Sequence, residues 1–221
     1  MLYIVATPIG NLEDMTLRGL RILKEADYIF AEDTRVTKKL LNHFEIDATV
    51  YRYDEFSKMR QIPNIINILK EGKDIALVTD AGTPCISDPG YEVVDAAHKE
   101  GIKVVPIPGA SALTAAASVA GISMRRFCFE GFLPKKKGRQ TLLKQLAEEE
   151  RTIMIYESPF RIEKTLRDIE TFIGVREVVI IREITKIYEE ILRGTTTELI
   201  ERLSKNPIKG EIVLLIKGKE D

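Results

Sequence analysis

The chain has 221 residues, with 33 Lys and Arg against 34 Asp and Glu, for a formal net charge of −1. That balance excludes a nucleic-acid binder that is basic throughout, though not a local basic patch. An apolar content of 44% supports a core and excludes disorder, and the length suits one large domain or two small ones.

The chain opens on a strand at 2–6 with no basic flank or cleavage site, so no signal peptide is expected. A helix over 16–26 follows, with Leu17, Leu20 and Leu23 on one face. Next come a strand at 28–31, a helix at 34–44, a short strand at 49–52, and a helix that starts near Pro63 and stops at Gly72. Residues 75–79 form a fully apolar strand, 91–100 a helix stopped by Gly101, and 103–107 a fifth strand. Such alternation gives a mostly parallel sheet covered on both faces.

A helix of small residues at 109–121 follows, and the composition shifts around 121–126. The expected domains are 1–112 and 113–221. The second half reads strand 127–132, helix 139–149, strand 152–156, helix 159–172, strands 177–182 and 188–193, helix 196–204 and strand 211–217. The short connection between 182 and 188 makes that pair antiparallel and the second sheet mixed. The expected fold class is therefore α/β, with a mostly parallel N-terminal sheet and a mixed C-terminal one.

The longest uncharged stretch, 107–124, is too weakly apolar to span a bilayer. Cys85 and Cys128 have no Cys-x-x-Cys spacing and fit a reducing cytoplasm. His43 and His98 share no ligand spacing, so no metal site is expected.

Ligands of open parallel sheets bind beyond the carboxyl ends of the strands. Three loops there are rich in Gly and Pro: Thr7-Pro8-Ile9-Gly10-Asn11, the eleven residues from Asp80 to Gly90, and Pro106 to Ser111. Gly lets a backbone approach a ligand, and Pro fixes loop shape. Neither G-x-G-x-x-G after the first strand nor a Walker sequence occurs, so a dinucleotide and a triphosphate are disfavoured. Hydroxyls, small side chains and backbone groups suit a folded, weakly charged ligand.

Further words recur in order: Ala31-Glu32-Asp33-Thr34-Arg35, Val78 to Pro84, Ser87-Asp88-Pro89-Gly90-Tyr91, Val105 to Gly109, Glu130 to Pro134, Tyr156-Glu157-Ser158-Pro159, Arg182 to Lys186 and Lys209-Gly210-Glu211. With the opening residues 2–12, they resemble the ribosomal RNA small subunit methyltransferase I family over essentially the whole chain. That family is a branch of the tetrapyrrole-methylase-like, class III S-adenosylmethionine (SAM) methyltransferases.

The resemblance implies a cytoplasmic enzyme that moves the SAM methyl group to a ribose 2′-hydroxyl. The acceptor would be a cytidine in the decoding region of 16S rRNA in the 30S subunit. It also implies two α/β domains with SAM in the cleft between them, usually as a homodimer. The cofactor contacts it implies are Pro8 and Gly10, then Asp80, Gly82, Thr83, Pro84, Ile86, Ser87 and Asp88. Pro108, Gly109, Ala110, Ser111, Ala112 and, in the second domain, Tyr156 complete them. The word Glu32-Asp33-Thr34-Arg35 points to the RNA branch rather than to the tetrapyrrole methylases.

Two departures stand out. Family members usually carry His after Ser-Pro, where this chain has Phe160 before Arg161. Many also continue past the last strand with a helical segment, whereas this sequence closes at Asp221. RNA contacts from such a segment are expected to be absent, replaced or unnecessary.

A ribose hydroxyl is a poor nucleophile, so positioning and a base or cation that eases its deprotonation are needed. Glu32, Asp33, Arg35, Asp88 and Lys186 are the candidates, and Asp33, Arg35 and Lys186 are taken as the catalytic set. Asp33 reads equally as a helix N-terminal charge, Arg35 as a phosphate clamp or a surface ion pair, and Asp88 as a turn former.

Residues 125–145 hold seven basic side chains (Arg125, Arg126, Lys135, Lys136, Lys137, Arg139 and Lys144) against Glu130 alone. Together with Arg161 this face is expected to meet RNA. Phe127, Phe129 and Phe132 are expected in the core, and Cys85 facing or underlying the cofactor. Two rivals remain open: a tetrapyrrole methylase with the same cofactor site, and a non-catalytic RNA-binding module of the same fold.

Overall fold

Strands that are apolar at consecutive positions bury both faces, and β4 (Ile75–Val78) is buried at all four. The structure, a computed structural model, describes residues 1–219; positions 220 and 221, which close the second expected domain, lie outside the described residues. The chain divides into two compact units, Met1–Ser111 and Ala112–Asp221.

The first unit is a parallel sheet of β1 (Leu2–Val5), β2 (Tyr28–Ala31), β3 (Val50–Arg52), β4 and β5 (Val104–Ile107), in the order β3-β2-β4-β1-β5. Alternate residues of β4 point to opposite layers. Ala76 and Val78 pack with Ile22 and Leu23 of α1 (Leu17–Glu25) and Leu41 of α2 (Thr34–His43). Ile75 and Leu77 pack with Ile65 and Leu69 of α3 (Lys58–Lys70) and Val93 and Ala97 of α4 (Tyr91–Lys99). Thr16 starts α1 by accepting the Gly19 N–H, and Asp33 starts α2 by accepting that of Arg35.

The second unit is a mixed sheet, β6-β7-β10-β8-β9. Its strands are β6 (Phe127–Phe132), β7 (Thr152–Glu157), β8 (Glu177–Arg182), β9 (Glu190–Thr195) and β10 (Ile212–Ile216). β10 is central and buried throughout. Its Ile212, Leu214 and Ile216 face a core shared with α6 (Arg139–Leu146), α7 (Ile162–Phe172) and α8 (Thr196–Lys205). Val213 and Leu215 face Ala116 of α5 (Ala112–Val119). β6 and β8 both run parallel to β7, since β10 is antiparallel to β7 and to β8. The carboxyl ends of β6, β7 and β8 therefore share one edge.

Several expectations need correction. Pro63 lies well inside α3, which begins at Lys58, so the carbonyl of Met59 loses its helical donor. Leu17 is 86% exposed; the buried face of α1 runs through Gly19, Ile22 and Leu23. β9 begins at Glu190 rather than at 188, because the Arg182–Glu190 ion pair at 2.8 Å fixes the first rung of its pairing with β8. Phe127 and Phe132 are 36% and 59% exposed, so only Phe129 packs against the core. The pairing of β6 shifts register between Phe129 and Phe132, which turns Phe132 out of the expected pattern. Among the described residues no helix is long and apolar enough to cross a membrane.

Leu214 sits fully buried between Ile155 and Ile180. Leu214→Ala is expected to lower unfolding free energy by about 2–5 kcal/mol in urea titration, with its slope unchanged.

Candidate functional site

The three Gly- and Pro-rich loops of the first unit are laced to one another. Thr7 and Gly82 exchange backbone hydrogen bonds at 2.9 and 3.0 Å, joining the loops after β1 and β4. The buried Thr7 hydroxyl donates to the Thr79 carbonyl at 3.1 Å. The Thr83 hydroxyl donates to the Ala110 carbonyl at 3.2 Å, joining the loop after β5. Gly82 adopts φ +88, which is strained for any side chain, and Gly109 lets the last loop close on Ala6. Pro8, Gly10, Asp80, Gly82, Thr83, Pro84, Ile86, Ser87, Asp88, Pro108, Gly109, Ala110 and Ser111 thus belong to one edge of one unit. Gly10, Asp80, Ile86, Ser87, Pro108 and Gly109 are exposed there. Ala112 and Tyr156 belong to the second unit.

The edge is acidic. The Thr79 hydroxyl donates to Glu32 at 2.8 Å, and the Asp33 N–H donates to Asp80 at 2.9 Å. Burial, then the charge of Glu32, pushes the Asp88 carboxyl up to about 6. Burial likewise raises the Asp80 carboxyl. Asp33 behaves differently. Its carboxylate accepts the Arg35 guanidinium at 2.6 Å and caps α2, which holds it far below the usual range. That carboxylate is a poor proton acceptor, while its partner Arg35 is 86% exposed. Glu32, Asp33, Thr34, Arg35 and Arg52 line a recess of about 350 Å³. Cys85 sits at φ +72 with its sulfur against Gly90, and burial raises its thiol to about 11.

In the second unit the expected basic face divides. Arg125 and Arg126 precede β6, whereas Lys135, Lys136 and Lys137 follow it, at the opposite edge of the sheet. Lys144, over the Phe172 ring, lies near the C-terminal end of α6.

Arg139 is 6% exposed and belongs to the interior. It donates to Asp168 at 2.8 Å, to the Thr165 hydroxyl at 2.8 Å and to the Pro134 carbonyl at 3.3 Å. The Thr165 hydroxyl in turn donates to buried Glu157 at 2.6 Å. Arg161 pairs with Glu157 and donates to the Leu133 carbonyl at 2.9 Å. Both guanidiniums therefore hold the loop that carries the lysines. Sequence reasoning missed Glu157, Thr165 and Asp168; a carboxylate ending an apolar strand was the available signal.

Lys186 stands at the same edge as Glu157, gripped by Glu183 at 3.0 Å and Glu211 at 2.9 Å. Burial pulls its ammonium pKa down, but Glu211 and Glu183 outweigh that and raise it, so Lys186 is a cation and no base. Glu183 (φ 50) and Thr185 (φ 68) take left-handed backbone, rare for a β-branched residue, and the buried Thr185 hydroxyl has no partner among the described residues. Tyr156 packs edge-on against Phe129 and Phe132 at 4.9 and 5.6 Å.

Comparison with known proteins adds to this geometry. Residues 1–200 match the family described as Tetrapyrrole (Corrin/Porphyrin) Methylases. The ribosomal RNA small subunit methyltransferase I of Thermotoga maritima is 50% identical over 219 residues, 99% of both chains. Its namesake in Halalkalibacterium halodurans is 52% identical over 98% of this chain and 75% of that one. That of Synechocystis is 49% identical over 99% and 79%. A solved cobalt precorrin-4 methyltransferase superposes with TM-score 0.72 over 98% of this chain and 94% of its own, at 22% identity, a likeness of fold alone.

Ionised Asp88 is disfavoured in the folded chain, so its cost is present in full above a pH of about 6 and fades toward the ordinary carboxylate value of 3.8. Asp88→Asn is expected to raise the thermal midpoint near pH 8 and to give little gain near pH 3. A gain independent of pH would contradict this. Gly210 has φ +93, and a Cβ there would meet Glu183. Gly210→Ala is expected to cost about 1–3 kcal/mol in chemical denaturation by breaking the Glu183–Lys186 grip.

Proposed function

Because the chain belongs to the tetrapyrrole methylase family and, within it, to the ribosomal RNA small subunit methyltransferase I family, we propose that it methylates the 2′-hydroxyl of a cytidine ribose in the decoding region of 16S rRNA, with SAM as methyl donor. Identity of 50% across 99% of both chains carries the ribosomal reading. A ribosomal substrate implies work in the cytoplasm, and we take the active form to be a homodimer.

The laced loops of the first unit suit SAM. The stretches 7–11, 80–90 and 106–111 contain no Lys or Arg, while Asp80 and Asp88 lie within them. SAM is a net cation through its sulfonium and ammonium groups, so an acidic, backbone-rich edge complements it as it would not a triphosphate. Pro8, Gly10, Asp80 to Asp88 and Pro108 to Ser111, all of the first unit, would hold it. When bound, SAM supplies an electrophilic methyl group on sulfur.

The chain then has to place a ribose oxygen in line with that methyl, with the hydroxyl proton released to solvent. Positioning can supply a large share of the rate. Arg35, exposed beyond its pair with Asp33, would hold an RNA phosphate. Lys186, fixed as a cation, would favour the ionised form of the ribose hydroxyl. Asp33 would act through Arg35 rather than as a base.

The deciding experiment takes 30S subunits from a strain lacking this activity and maps ribose methylation before and after incubation with the protein and SAM. One new 2′-O-methylcytidine in the decoding region is expected, with no transfer to a tetrapyrrole acceptor. Calorimetric titration that finds no SAM binding, with RNA binding retained, would instead leave a non-catalytic RNA-binding module. Lys186→Met is expected to lower kcat at least tenfold while leaving SAM affinity within about twofold.

A further inference from the structure

We propose that Phe160 is a stacking platform for an unpaired base of the RNA, set beside a lysine loop, Lys135 to Lys137, that grips the adjoining phosphates. This rests on the RNA reading above and names what part of the RNA the second unit takes.

Phe160 is 97% exposed, at the tip of the turn that follows β7. It contributes almost nothing to the core, yet the turn beneath it is tightly built. The Phe160 N–H donates to the Ser158 hydroxyl at 3.3 Å, and the Arg161 N–H to the Ser158 carbonyl at 2.9 Å. Ser158 in turn donates its N–H to buried Glu157 at 2.8 Å. A ring held on so fixed a stem loses little freedom when a partner covers it.

The neighbouring loop supplies the charge. Arg161, next to Phe160, donates to the Leu133 carbonyl, two residues before Lys135. Arg139, just after the lysines, donates to the Pro134 carbonyl. Arg161 thus fastens the lysine loop to the turn that bears Phe160, and Arg139 fastens it to Thr165 and Asp168 of α7. No acidic residue occurs between Gly131 and Ala147. Lys135, Lys136 and Lys137 are exposed and have no carboxylate partner among the described residues.

Unpaired ammonium groups beside an exposed ring are the two halves of a single-strand site. Lysines follow the backbone, and an aromatic face takes a base whatever its identity. A paired base has both faces covered by its neighbours, so the ring selects unstacked RNA. A protein partner would have to cover three adjacent lysines, a residue type depleted from interface cores.

The test measures affinity for a single-stranded RNA carrying 2-aminopurine and for a duplex of the same length, across a salt series. Phe160→Ala and Phe160→Leu are expected to weaken single-strand binding by roughly 5- to 150-fold and to abolish the quenching of 2-aminopurine. Phe160→Trp is expected to retain both. The salt slope should stay the same in all three. Replacing Lys135, Lys136 and Lys137 together by Gln should flatten that slope by about 2 while leaving the quenching at saturation.

Phe160→Leu binding as tightly as the parent chain overturns the proposal. So does an equal loss on duplex, or a loss seen only with whole 30S particles and traced to their proteins. A parent chain that neither binds RNA nor methylates 30S subunits would sink the broader reading. A parent chain that methylates them, with Phe160→Ala unchanged in RNA affinity, overturns the stacking role alone.

Discussion

A strand buried on both faces has no room for an unpaired polar side chain until it ends. That constraint organises both halves of this molecule. In the first unit β4 is apolar from Ile75 to Val78, and the next two residues are Thr79 and Asp80. β2 runs apolar to Ala31 and is followed by Glu32 and Asp33. In the second unit β7 closes on Glu157 and β8 on Arg182. Parallel pairing brings those ends to common edges, so residues far apart in sequence meet there as hydrogen-bonding neighbours. The Thr79–Glu32 and Asp33–Asp80 contacts each span 47 positions.

The two edges differ in electrostatic character. The first gathers carboxylates with no lysine or arginine in its three loops, and burial raises two of those carboxyl groups. The second spends its buried charges on one another. Glu157, at 2% exposure, would be costly alone; Thr165, the Ser158 amide and Arg161 satisfy it. The outcome is a cross-linked frame from which Phe160 and the lysines project. A near-neutral total therefore combines an acidic edge suited to a small cation with a loop suited to phosphate.

Much of the fold was legible because apolar runs and turn residues are local signals. β2, β6 and β8 begin and end where the pattern of side chains says, and the three loops stand out by Gly and Pro alone. What was not legible depends on partners distant in the chain. Arg139 reads as part of a basic run, yet Asp168 and Thr165, 29 and 26 positions away, draw it inside. The start of β9 follows from an ion pair rather than from the β-branched pattern. Asp33 shows the middle case: its capping role was one of two local readings, and the Arg35 contact selects it. The split of the basic residues was hidden because the sequence lists them together, while β6 carries the chain from one edge of the sheet to the other.

Cys85 gives the acidic edge a further property. On the proposed reading this loop handles an alkylating agent, and a thiolate beside it would compete with the RNA for the methyl group. Burial raises the thiol to about 11. At neutral pH only on the order of one molecule in ten thousand would then carry the reactive anion. On that reading the sulfur would fill space beneath Gly90 without becoming a suicide acceptor for the methyl group.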